Sequence, residues 1–443
     1  MLVELCRYAS ISGSPLHEED VAGCAAFLHD HLERIGLEHV TLLPTGGSPI
    51  VYGDWLGAKG APTVLVYGHY DVQPADPLDR WTTPPFEPTV RDGRLYARGA
   101  SDNKGQIFAA LAALQTLLAD EGQLPCNVRV LLDGEEETRS DNLEAFLRAG
   151  SSDSLLAADV ALVTDSSMLA EGRPGVVLGL RGMVALEVTV RTAAGDLHSG
   201  VWGGAVPNAI LALTQLLAGL VHPASGKVLV DGFYDRVAPV PPEDAESWSR
   251  LAIDEGAAAR ELGVASLTGE AGLSLWELLW ARPTLDICGI WGGYQEEGVK
   301  TIIPSEAHAK ISCRIVPDQE HDEVVSLLQR HLTERAPEGA TVDVRLAVEG
   351  TEPFVFSIEH PAVQSALAAV RSGFGVEPVT YRAGYSVPIV DMLARTRGLD
   401  CVLLGFMCSD ENMHAPDEFA RLDVVAKGIA TYAEFLRNVA RTA

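Results

Sequence analysis

Residues 64–72 read VLVYGHYDV. Val64, Leu65, Val66 and Tyr67 form the short apolar run of a buried strand, and the chain turns polar at once with His69 and Asp71. Working outward from this stretch, the apolar runs Thr63–Tyr67, Asn127–Leu132, Val160–Thr164 and Val402–Phe406 read as strands. Between the first two, Lys104–Asp120 (KGQIFAALAALQTLLAD) has helical composition and no proline. Strands alternating with helices predict an α/β architecture, a mixed sheet flanked by helices.

From Met183 the pattern changes. Val184, Leu186, Val188 and Val190 alternate with Glu187, Thr189 and Arg191, the mark of a strand covered on one face. A helix over Asn208–Leu220 follows. The proline-rich VAPVPPEDAESW (237–248) reads as a surface connection. A strand Ala307–Ile315, a helix Glu320–Arg335 and a strand Thr341–Val348 come next. The expectation is a discontinuous catalytic domain, residues 1–178 and 353–443, with an inserted α+β two-layer lid and dimerisation domain at 179–352.

Composition narrows the function. The chain has 443 residues, 47% of them hydrophobic and 21% charged, which predicts two globular domains. A formal charge of -28 argues against nucleic acid or an anionic membrane as partner. The first residues lack the basic-then-apolar layout of a secretion signal, and no apolar run approaches the ~20 residues of a membrane span. Seven scattered cysteines without a CxxC pair fit a reduced, cytoplasmic location and a packing role. No GxSxG nucleophile motif competes for the chemistry.

Five motifs hold candidate ligands, most of them directly after a predicted strand. They are VLVYGHYDV with His69 and Asp71, ARGASDNKGQ (97–106) with Asp102, and VRVLLDGEEETRS (128–140) with Glu135, Glu136 and Glu137. VALVTDSS (160–167) adds Asp165, and ENMHAPDE (411–418) adds His414. Singly, each is an ordinary turn or capping residue, and three glutamates in a row are usually a solvated loop. Jointly, residues just past the carboxyl ends of strands in an open α/β sheet converge on one crevice. A mixed imidazole and carboxylate set there suits zinc, with manganese or cobalt as alternatives. A carboxylate-rich set favours two ions about 3.5–4 Å apart.

These motifs, together with DLHSGVWGG (196–204), KTIIP (300–304), CRIVP (313–317) and AGYSVP (383–388), resemble the carnosinase, aminoacylase and carboxypeptidase G family of dimetal peptidases. Within that family the likeness is to the cytosolic nonspecific dipeptidases. The resemblance runs in order over nearly the whole chain. It implies one metal held by His69 and Asp165, a second by Glu137 and His414, and Asp102 bridging both. Asp71 would orient the His69 imidazole, and the Asp102–Asn103 peptide would be cis. Glu136 would be the general base, taking a proton from a water that the two cations acidify and passing it to the leaving amine. In this register Glu135 has no fixed role.

The same resemblance makes His198 the donor to the tetrahedral oxyanion, supplied from the neighbouring subunit of a homodimer. Arg314 would clasp the substrate carboxylate through its planar fork, with Thr301, Gly384 and Ser386 completing that pocket. The implied activity is hydrolysis of dipeptides bearing a free C-terminal carboxylate. HAPDE, with Asp417 where dipeptidases commonly carry Asn, keeps a second reading open: an N-acyl-amino-acid amidohydrolase of the acetylornithine or succinyl-diaminopimelate type. Arg139 also stands where the family has a small residue. A metal-free binding protein that kept the fold is the reading from a different class, and the complete ligand set argues against it.

Overall fold

The computed structural model describes residues 1–150, 152–251 and 253–442. It divides into two compact units, Met1–Leu178 with Phe356–Tyr381 and Val387–Ala443, and Gly179–Val355 with Arg382–Ser386.

The first unit is built on a mixed sheet. Its strands lie in the order Glu38–Leu43, Ile50–Trp55, Asn127–Asp133, Thr63–His69, Val160–Val163, Cys401–Leu403 and Gly175–Leu180. The strands from Asn127–Asp133 to Cys401–Leu403 are parallel, and Ile50–Trp55 joins them antiparallel. Thr63–His69 is buried at every position after its first. A parallel strand needs cover on both faces, which is why its sequence is continuously apolar rather than alternating.

The flanking helices follow from their sequences. Glu18–Ile35 buries Val21, Cys24, Ala25, Leu28, Leu32 and Ile35 at helical spacing and stops at Gly36, whose φ of 94° supplies the left-handed cap. Lys104–Glu121 is apolar almost all round and packs against the C-terminal helix Leu422–Thr442. The observed helix thus runs one residue beyond the expected one.

One strand is shorter than its apolar run predicts. Cys401–Leu403 ends before Phe406, and just beyond it Gly405 passes close to another segment. A Cβ on Gly405 would lie 2.0 Å from the carbonyl oxygen of Ser166, so no side chain fits there.

The second unit carries a four-stranded antiparallel sheet in the order Thr284–Gly292, Glu306–Ile315, Gly182–Arg191 and Thr341–Thr351. Gly182–Arg191 alternates between buried and partly exposed positions along most of its length. Its buried side, with Ala309, Ile311 and Cys313 of the neighbouring strand, packs against the helices Ala209–Ala218 and His321–Glu334. The proline-rich segment differs from expectation, since Pro242–Ser249 is a helix. Pro242 occupies its first turn, where a missing N–H costs nothing and the fixed φ suits the helix.

Of the seven cysteines six are buried, Cys288 is exposed, and all are free thiols. No helix among the described residues is long and apolar enough to cross a membrane.

Candidate active site

The carboxyl ends of the parallel strands meet in the first unit. His69 closes Thr63–His69, Glu136 and Glu137 follow Asn127–Asp133 in a 3₁₀ turn, and Asp165 follows Val160–Val163. Asp102 reaches the same place from the loop before Lys104–Glu121, and His414 from the loop after Cys401–Leu403.

Asp102 is the centre of the cluster. Its Oδ1 lies 3.0 Å from His69 Nε2, and its Oδ2 lies 3.0 Å from His414 Nε2. His69 Nε2 is also 3.9 Å from Asp165 Oδ2, and His414 Nε2 is 3.2 Å from Glu137 Oε1. Two groups of ligand atoms result, His69–Asp102–Asp165 and Asp102–Glu137–His414, each lying within 4.8 Å. The Asp102–Asn103 peptide is cis.

Surrounding polar groups aim these side chains. His69 Nδ1 faces Asp71, with Oδ1 at 3.3 Å and the backbone oxygen at 3.2 Å. The Asp71 carboxylate also accepts the backbone N–H of Glu136 at 3.2 Å and of Glu137 at 3.1 Å. Gln73 Nε2 donates to Glu137 Oε2 at 2.9 Å. Buried Asn103 donates to Asp165 Oδ1 at 3.3 Å and accepts the His69 N–H at 3.3 Å. Sequence reading gave Gln73 and Asn103 no role in aiming ligands; their only signal is that Gln73 lies two residues after Asp71 and Asn103 directly after Asp102.

The three glutamates point to different partners. Glu135 Oε1 accepts the Ser48 N–H at 2.7 Å and Oε2 accepts from Asn142 at 2.8 Å, so this carboxylate anchors the Gly46–Ser48 loop. Glu137 faces His414, as given above. Burial pushes Glu136 well above the usual carboxylate range against the opposing pull of His69, and the charges of Asp165, Glu137 and Asp102 add to the rise.

The donor set fits divalent cations. Burial, then repulsion from Asp102, pushes Asp165 up to about 7. Hydrogen bonds to Asp102 and Glu137 push His414 up to about 10. Glu137 Oε1 is buried and faces the His414 imidazole at 3.2 Å. Cations among these atoms would neutralise the crowded carboxylates, displace the imidazole protons and occupy that oxygen.

The remaining expected site residues belong to the second unit, where they form two groups. His198 lies on the short strand Leu197–His198, paired with Ile302, and Thr301 accepts the Ser199 N–H at 3.1 Å. The His198 ring is exposed, and its Nδ1 accepts the Gly200 N–H at 3.0 Å. In the other group, Arg314 Nη1 donates to Ser386 Oγ at 3.0 Å and Ser386 Oγ donates to the Arg181 carbonyl at 2.6 Å. Arg181 Nε donates to the Gly384 carbonyl at 2.9 Å. Burial lowers Arg181 to about 10, with Arg314 adding to the fall. Arg181 was also missed, because a lone arginine after an apolar strand carries no motif.

The sequence model of the peptidase family M20/M25/M40 matches residues 65–438. The chain belongs to this family. The peptidase is 30% identical over 447 residues to the Beta-Ala-His dipeptidase of Homo sapiens, covering 98% of this chain and 87% of that one. It is 31% identical to the Cysteinylglycine-S-conjugate dipeptidase of Corynebacterium striatum, covering 98% and 94%. Among solved structures, an M20 family metallo-carboxypeptidase from Sulfolobus solfataricus superposes with a TM-score of 0.86 at 32% identity, over 99% of the peptidase and 98% of that chain.

Proposed function

We propose that this peptidase hydrolyses the amide bond of dipeptides that carry a free C-terminal carboxylate, using two divalent metal ions, zinc by preference and manganese or cobalt as alternatives. The observation that carries the reading is Asp102, whose two oxygens face His69 and His414 in two separate ligand groups. His69, Asp165 and Asp102 would hold one ion, and Glu137, His414 and Asp102 the other. Imidazole with carboxylate is a zinc-type donor set. When bound, the ions supply Lewis acidity to the scissile carbonyl and lower the pKa of water.

The residues of the chain do the rest. Glu136 takes the proton of the attacking water and delivers it to the leaving nitrogen. Asp71 holds the His69 ring and, through two backbone amides, the turn that carries Glu136. His198 donates to the oxyanion of the tetrahedral intermediate from a second subunit. Its exposure within its own unit suits a residue that serves a neighbour. The sheet-edge strand Thr284–Gly292 exposes Ile287, Ile290 and Trp291, a surface suited to a second copy of this chain. Arg314 and Ser386 receive the substrate carboxylate, with Gly384 shaping the pocket, whereas Thr301 stands apart from them beside His198. Free, mostly buried thiols suit a reducing, cytoplasmic compartment.

The dipeptidase relatives favour this reading over N-acyl-amino-acid hydrolysis. The test is competition by mass spectrometry between Ala-Leu and N-acetyl-Leu on metal-loaded protein. Preference for Ala-Leu is expected; preference for N-acetyl-Leu would transfer the enzyme to the deacylase class.

A further inference from the structure

The loop that delivers Asp102 is held by a side chain with no part in the proposed chemistry. Glu418 is fully buried, and its carboxylate accepts four hydrogen bonds from residues 98–102. Oε2 takes Arg98 Nη1 at 2.5 Å and the Gly99 N–H at 3.0 Å. Oε1 takes the N–H of Ser101 at 3.0 Å and of Asp102 itself at 3.1 Å.

Glu411 adds a second tie between the same segments. Its Oε2 accepts from Ser101 Oγ at 2.6 Å and from the Cys408 N–H at 3.0 Å. Its Oε1 accepts from Arg421 at 3.1 Å, and its carbonyl accepts the Phe419 N–H at 3.1 Å. Glu411 and Glu418 bracket His414, whose φ of 59° lies in the left-handed region. Both flanks of this strained turn are therefore fastened to the Asp102 loop.

We infer that Glu418 is a positioning residue that sets the reach of Asp102 toward His414, and so the geometry in which both would hold a metal ion. Buried backbone N–H groups must find acceptors. A side-chain amide at position 418 accepts at one end only and turns its NH2 group on donors at the other. A carboxylate satisfies both ends, and Arg98 balances its charge. The inference rests on the proposed role of Asp102 as the ligand shared by two ions.

The experiment uses the full-length protein. Metal is stripped and zinc binding is followed in competition with a chromophoric chelator, alongside melting temperature and steady-state kinetics on Ala-Leu. Two zinc ions per wild-type chain tests the underlying reading by itself. Glu418→Gln should weaken zinc binding by about 10- to 100-fold, the usual effect of losing a group that orients a ligand. It should also lower kcat while leaving KM within about twofold, because Arg314 and Ser386 are untouched.

A single variant strands the Arg98 charge in the interior, so Arg98→Gln/Glu418→Gln, which removes both charges of this buried pair, is measured beside it. Its zinc affinity should fall in the same range. Wild-type affinity and kcat in either folded variant would overturn the inference. So would failure of both variants to fold, since Glu418 would then serve the fold rather than the placement of Asp102.

Discussion

Asp71 Oδ1 accepts the backbone N–H of Glu136 at 3.2 Å and lies 3.3 Å from His69 Nδ1. One carboxylate thereby links a proposed metal ligand to the turn that carries the proposed base. Asp71→Asn replaces one of its acceptor oxygens by a donor and must break part of this link. We expect a loss of about 10- to 100-fold in kcat/KM with the fold retained. An Asp71→Asn enzyme of wild-type rate would leave the residue with no role in positioning.

Metal content tests the bridge. Elemental analysis after loading should give two ions per wild-type chain and fewer than one in Asp102→Ala, since both ligand groups share Asp102. One ion per wild-type chain, or two retained in the variant, would defeat the dinuclear arrangement.

The glutamates should separate by function. Glu136→Gln should keep its metal and lose about three orders of magnitude in turnover, within the range for removal of a general base. Glu137→Gln should weaken metal binding. Glu135→Ala should leave metal content unchanged and cost about 1–3 kcal/mol of stability by unpairing the Ser48 N–H. Loss of turnover with metal retained in Glu135→Gln would shift the register by one residue.

Complementation tests His198. Mixing inactive His198→Ala with inactive Glu136→Gln under conditions of subunit exchange should restore part of the activity, because a mixed dimer holds one intact site. A fully active monomer by sedimentation would exclude the shared-site arrangement.

Arg314 should read the substrate carboxylate. Removing one partner of a desolvated charge pair costs roughly 2–5 kcal/mol, so Arg314→Ala should lose about 30- to 1,000-fold in kcat/KM. The carboxamide of the same dipeptide should be as poor a substrate for wild type, and little poorer still for the variant. Equal cleavage of acid and amide by wild type would remove Arg314 from this role.

What could be read before the fold was known follows partly from chain-local physics, and the roles and the glutamate register from the family resemblance. His69, Asp102, Glu136, Glu137 and Asp165 sit at the ends of apolar runs or at the start of a helix, and both signals survive in one dimension. The long-range pairings do not. Glu418 meets Asp102 across 316 residues, and neither segment's composition announces the other. Asn103 and Gln73 look like loop polarity until the turn back toward Asp165 and Glu137 is seen. Asp417, which stood out as a departure, accepts the N–H and hydroxyl of Thr82 at 2.8 and 2.6 Å. It fastens a loop of the first unit, which explains a carboxylate there without reference to substrate. Pro242 shows the converse, a helix-starting residue inside a segment read as a surface connection.

The separation of Asp102 from His414 by 312 residues has a consequence for biosynthesis. A chain emerging N-terminus first presents His69, Asp102 and Asp165 early, then makes the whole inserted unit, and only afterwards supplies His414. Domains fold as units during synthesis. The first unit is itself split, and Cys401–Leu403, which pairs with the strand before Asp165, and Glu418, which holds the Asp102 loop, both follow the inserted unit, so neither ligand group closes before they are made. Metal capture would then follow the synthesis of the inserted unit rather than precede it.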